Sequence, residues 1–161
     1  MKYIFLILGI SFYLEGIVSN FISISTNYLN PLLSLITSVV IYPFFKNKKR
    51  YYQICFGYGI LYDFIYTNTL VFHGFLFLFM GYLAHYMYKL LSFNIPNTIL
   101  LSFIVIVIYR ITGYFLLCLI GNYYFEWRIL LHSITSSLIL NILYMIILFL
   151  FLKPRYQLIK I

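Results

Sequence analysis

Acidic side chains are almost missing from this chain. Glu15, Asp63 and Glu126 are the only three in 161 residues, against eleven Lys and Arg, for a formal net charge of +8. Charged residues make up 9% of the sequence and hydrophobic ones 64%, with a mean hydropathy of +0.99. A soluble domain of this size could not bury so much apolar surface, so the composition excludes that class and points to an integral membrane protein. Cysteine is scarce too: Cys55 and Cys118 lie in apolar runs, with no CxxC, and read as small packed hydrophobes rather than redox or metal groups. No P-loop, GxGxxG or GxSxG pattern occurs, which removes sequence support for a nucleotide site or a serine hydrolase. No Pro/Gly/Ser-rich linker divides the chain, so residues 1–161 read as one domain. The single alanine, Ala84, beside 18 Tyr and 17 Phe shows a compositional bias that makes aromatic content poor evidence for a binding box. The positive charge sits in short loops and at the tail without any RNA- or DNA-binding motif, so lipid headgroups and membrane orientation account for it and nucleic acid does not.

What is present is a succession of apolar runs that predicts an all-α protein of six transmembrane helices. The first span is Tyr3–Ser19, uncleaved for want of an A-x-A site, followed by a polar, β-leaning connector, Asn20–Asn30. Leu32–Phe45 is a second span, short for a hydrocarbon core of about 30 Å, which must borrow flanking residues, thin the membrane or lie partly buried in protein. After the basic cluster Lys46–Arg50 come Tyr51–Tyr66 and Leu70–Tyr88, joined by Thr67–Thr69 so tightly that they must be antiparallel neighbours. Lys89–Asn97 is a loop, Thr98–Ile120 the fifth span, Gly121–Arg128 a loop, and Ile129–Leu152 the sixth span before a basic tail. With loops alternating sides, nine basic residues fall together, Arg128 alone faces the other side and Arg110 lies within a span. The positive-inside rule then places both termini in the cytoplasm.

The stretch Ile54–Gly74 stands out as the one the other helices pack around, because it carries Gly57, Gly59 and a carboxylate, Asp63, in an apolar setting. Glu15 and Arg110 are also mid-span. A guanidinium stays charged and is costly when unpaired, so an internal ion pair is the favoured reading, with Glu15 the better depth match and Asp63 the alternative. His73, His85 and His132 sit near span ends at spacings that match no compact metal motif, and no metal or cofactor is assigned. Gly57 and Gly59 read as small residues that let helices approach. With such short loops, no catalytic constellation emerges.

The run G-Y-G-I-L-Y-D-F-I-Y-T-N-T-L, residues 57–70, resembles the signature of the rod shape-determining protein MreD family, through Gly59, Leu61, Asp63, the Tyr66-Thr67 turn and Leu70. Glu15 has a frequent counterpart there, and Ser136–Ile142 is similar to the family's last span, while Val71-Phe72 stands where Leu-Gly usually follows the turn. The resemblance implies a non-enzymatic scaffold subunit of the bacterial elongation complex, in the cell membrane, supporting peptidoglycan synthesis and cell shape. The implied partners are a bitopic MreC-like protein and, with it, MreB, RodA and a class B penicillin-binding protein. It also implies a fold similar to the substrate-binding subunits of energy-coupling-factor transporters, which supplies the rival reading of a six-span solute-binding subunit. Taken with the residue chemistry above, Gly57, Gly59, Asp63, Thr67, Glu15 and Arg110 are expected to be structural or partner-binding residues; Arg110 matches no position of the family, and Asp63 is expected to anchor the turn by accepting hydrogen bonds from Thr67 to Thr69.

Overall fold

In lipid a backbone has no water to bond to, so apolar runs must satisfy their own N–H and C=O groups as helices. The computed structural model shows that outcome. It describes all residues except 1, 26–30, 68, 70, 122–123 and 161, with the backbone alone for 2, 21–25, 155 and 157–160. Among the described residues there are six α-helices and no strand: α1 Lys2–Ser25, α2 Leu33–Val40, α3 Lys48–Tyr62, α4 Phe72–Leu90, α5 Ile95–Leu119 and α6 Trp127–Lys160. A 3-10 turn, Tyr42–Phe44, follows α2, and a π-helical turn, Asp63–Thr67, extends α3. By length and apolarity, Tyr3–Asn20, Ile95–Leu119 and Trp127–Pro154 are able to cross a membrane.

Local chemistry sets several of the boundaries. Asn47 caps α3 by accepting from the Lys49 N–H at 2.9 Å, and Asn94 caps α5 by accepting from the Asn97 N–H at 3.3 Å, with Pro96 in the first turn. The α5 helix ends at Gly121, whose φ of 84° suits glycine and whose N–H bonds to the Cys118 carbonyl at 3.1 Å.

The centre of the molecule is α2, not the 54–74 stretch. All eight of its residues are buried, and it packs on α1, α4, α5 and α6. Eight residues rise about 12 Å, well short of a hydrocarbon core of about 30 Å. Of the three accommodations expected for the short second span, burial in protein is the one found, its apolar side chains being covered by the surrounding helices. Two further corrections concern the ends of helices. Asn20–Ser25 continues α1 instead of forming an extended connector, and the basic tail from Lys153 to Lys160 continues α6 through Pro154. The remainder of the expected connector lies outside the described residues. The remaining boundaries shift by a few residues, chiefly because Asn47 and Asn94 start α3 and α5 earlier than their apolar runs do.

The α3 and α4 helices touch most closely. A Cβ on Gly59 would stand 2.4 Å from the His73 carbonyl oxygen and 2.7 Å from Gly74 Cα, and one on Gly81 would stand 2.9 Å from Cys55 Sγ. Residue 59 thus opposes 74 and residue 55 opposes 81, which makes the two helices antiparallel. Large apolar side chains such as Phe5, Tyr13, Phe64, Phe75, Leu119 and Phe151 point outward, as they would in a chain solvated by lipid.

Candidate functional site

The first N–H groups of an α-helix have no partner within it and are normally served by a polar residue at the cap. At the starts of α2 and α4 the cap positions hold Leu32 and Val71, neither of which bears a side-chain cap bond. Both helices are served instead by a carboxylate from another element.

For α4 that carboxylate is Asp63, fully buried at the junction of α3 and the π turn. The His73 N–H donates to Oδ2 at 2.9 Å and to Oδ1 at 3.1 Å, and the Gly74 N–H donates to Oδ2 at 3.2 Å. Thr69 Oγ1 donates to Oδ1 at 2.5 Å, Thr67 Oγ1 at 3.3 Å, and His73 Nδ1 lies 2.7 Å from the same oxygen. A carboxylate offers about four acceptor positions, so Asp63 is fully engaged. The positive end of the α4 dipole favours its charge there. The π turn carries the chain on from Asp63, and Val71, at φ 61°, closes the connection in a left-handed conformation that a β-branched residue rarely adopts. The close approach of Gly59 to Gly74 brings the start of α4 within reach.

For α2 the carboxylate is Glu15. The Ser34 N–H donates to Oε2 at 2.7 Å and the Ser34 hydroxyl donates to the same oxygen. Oε1 is buried with no hydrogen-bond partner. The Leu32 N–H, at the same helix start, donates to Asn141 Oδ1 at 2.7 Å, and Asn141 Nδ2 donates to the Ser137 carbonyl at 2.5 Å. Ser137 Oγ in turn accepts from Arg110 Nε at 2.8 Å. Polar groups from α1, α2, α5 and α6 therefore meet around one helix end.

Beside them is a cavity of about 310 Å³. Glu15, Ser19, Tyr62, Tyr109 and Arg110 form much of its wall, and Thr67 and His73 connect it to the Asp63 cluster. Glu15 and Arg110 share this cavity, but the expected ion pair between them does not form. Among the described residues the acid–base contact within 4.0 Å joins Asp63 to His73, an ion pair only when the imidazole is protonated, and the alternative of Asp63 with Arg110 is not formed either. The reason is competition: each carboxylate is held by the N-terminus of a neighbouring helix, and the arginine is drawn to Ser137 on α6.

Of the other residues singled out from sequence, Thr67 joins the Asp63 cluster and also bonds Thr69 at 2.7 Å. Gly59 lies at the α3–α4 contact, whereas a Cβ on Gly57 would meet nothing within 4 Å. Glu126 is exposed, and its backbone N–H donates to the Tyr114 hydroxyl at 2.8 Å. His85 bonds the Tyr52 hydroxyl through Nδ1 and stacks on Tyr42 at 5.2 Å. Sequence reasoning missed Ser34 as a capping partner, and also Gly16, where a Cβ would stand 2.6 Å from the hydroxyl of Tyr66, itself bonded to the Phe12 carbonyl at 2.7 Å. A usable signal for the first was an apolar residue at each helix start combined with a lone acid in a neighbouring run.

The glycine contact, the buried aspartate and the turn after it are the positions on which the sequence resemblance rests, and comparison with known proteins bears on the whole chain. No curated protein and no solved structure matches it. A profile of the rod shape-determining protein MreD matches residues 1–159. That match spans essentially the whole chain, and this protein therefore belongs to the MreD family of membrane proteins, whose role lies in rod shape determination.

Proposed function

We infer that this protein is a non-enzymatic scaffold of the rod-shape elongation complex, a six-span membrane domain with both termini in the cytoplasm that holds a bitopic MreC-like partner. MreB, RodA and a class B penicillin-binding protein are its further associates, and peptidoglycan synthesis is the process it supports. The observation that carries this reading is the use made of Asp63. In the stretch that resembles the family signature, the carboxylate is saturated by donors from its own turn and from α4, which suits an anchor that fixes a surface rather than a group that reacts.

A surface for a single partner helix is available on α3. Gly57 is open, and Leu61 and Phe64, one and two turns on, are exposed. Small residues let a second helix approach closely in lipid, where packing rather than hydrophobic exclusion drives association. The test is co-purification of the MreC-like partner with wild type, Gly57→Leu and Asp63→Leu. A Cβ on Gly57 meets nothing within 4 Å, so Gly57→Leu is expected to reduce capture without lowering thermal stability, while Asp63→Leu lowers both. Failure of the wild type to capture the partner, together with tight binding of a small solute, would favour the solute-binding-subunit reading. The polar cavity beside Glu15 and Arg110 is the observation that speaks for that second reading.

A further inference from the structure

We propose that the cavity between Glu15 and Arg110 is a binding site for a small zwitterionic group, one that carries an ammonium and an anionic oxygen. The inference concerns the interior of this chain alone and stands apart from the identity of any partner protein. Three observations carry it.

The first is Glu15 Oε1. The residue is 2% exposed, and while Ser34 supplies both donors to Oε2, Oε1 is buried with none. A buried acceptor of this kind loses its hydration without replacement, so a donor that completes it binds favourably. The second is Arg110. A guanidinium has five N–H donors, and the one on Nε goes to Ser137, with no other hydrogen bond to a described residue. The third is the space itself. At about 310 Å³ the cavity falls at the small end of ligand sites, and its wall adds the Tyr62 and Tyr109 rings, with Ser19 exposed at its edge.

The two charged side chains line one cavity without closing on each other within 4.0 Å. Leaving either uncompensated in a low-dielectric interior is costly, and direct contact is the ordinary remedy. A ligand that spans the space satisfies both at once: its ammonium donates to Glu15 Oε1 and its anionic oxygen accepts from Arg110. A simple anion would leave Oε1 without a donor, and a simple cation would leave the guanidinium unmatched. An amino acid, or the ethanolamine phosphate headgroup of a lipid, has the required chemistry.

The experiment uses the full-length protein, purified in detergent and stripped of lipid. Native mass spectrometry compares phosphatidylethanolamine with phosphatidylglycerol, and calorimetry measures free O-phosphoethanolamine and glycine. The expected result is one site per chain with at least tenfold preference for the zwitterion over phosphatidylglycerol. Binding of the lipid without the free zwitterions assigns the site to a headgroup, and binding of the free forms assigns it to a soluble ligand. Glu15→Gln, which retains an acceptor for Ser34 but not the charge, is expected to weaken binding at least tenfold. Ser19→Trp, at an exposed position on the cavity edge, is expected to do the same by filling the space, and decides the matter alone if Glu15→Gln does not fold. Equal retention of both lipids with no binding of the free zwitterions, or binding that Ser19→Trp leaves unchanged, would overturn the proposal.

Discussion

Asp63 takes its donors from the first turn of the following helix, so changing it uncaps α4 and loosens the turn together. Asp63→Asn retains an acceptor of the same size but loses the charge assistance, whereas Asp63→Leu leaves the part-buried His73 N–H and the buried Gly74 N–H unpaired. Each group so orphaned costs about 1–3 kcal/mol. Thermal melts in detergent are expected to rank wild type above Asn and Asn above Leu, and equal melting of the two variants would contradict the capping role. The glycines give a second ranking. Gly59→Ala drives a Cβ into the His73 carbonyl and Gly74, backbone atoms that can yield only by separating the helices, at a cost of about 1–3 kcal/mol. Gly57→Ala meets open space and removes a flexible residue from a helix interior, so it is neutral or stabilising by about 0.5–1 kcal/mol. A pair of melting curves distinguishes the two positions, although sequence alone treats them alike.

At the scale of elements, the common feature is a helix start with an apolar residue at its cap and an acid brought from elsewhere. For α2 this predicts that Glu15→Ala destabilises the protein more than Ser34→Ala does, since the latter removes only one of the two donors that Oε2 receives. Exchange of charges, Glu15→Arg with Arg110→Glu, is not expected to restore stability, because arginine cannot accept the Ser34 N–H. A recovered melting temperature in the double variant would revive a direct ion pair. Apolar runs made α1, α3, α4, α5 and α6 legible to within a few residues at most ends, as run length and helix caps are local properties. What lies around a run is not local. Nothing within 33–40 says that four helices enclose it, and so its shortness left burial in protein as one reading among three. The donors to Asp63 divide in the same way: Thr67 and Thr69 are near in sequence, while the His73 and Gly74 N–H groups reach it only through the π turn and the left-handed Val71.

For the whole molecule, the basic residues carry the orientation. In the six-crossing arrangement proposed above, Lys46, Lys48, Lys49 and Arg50 share a side with Lys2, Lys89 and the end of α6. Cytoplasmic placement of these positions predicts that Lys48→Cys resists membrane-impermeant thiol reagents in intact cells and reacts once the membrane is opened, and that Tyr124→Cys reacts from outside. Labelling of residue 48 in intact cells would reverse the orientation. The two carboxylates, the arginine and the cavity lie together because α2 starts among α1, α5 and α6; depth matching along the sequence set Glu15 beside Arg110 but did not anticipate Ser34 and Ser137 as their hydrogen-bond partners.

The interlock of Gly59 with Gly74, together with the hold of Asp63 on the start of α4, bears on how the chain reaches the bilayer during synthesis. Alone, α3 would leave the Asp63 carboxylate at its C-terminal end without the donors of α4, and α4 would present bare N–H groups at its start. Neither is among the helices long and apolar enough to cross a membrane on its own. The pair is therefore expected to leave the translocon as one hairpin. A glycosylation reporter fused after residue 71 should show poor integration of α3, and one fused after residue 92 should show efficient integration of both. Asp63→Leu should then have opposite effects at two stages, easing the passage of α3 alone while weakening the finished protein.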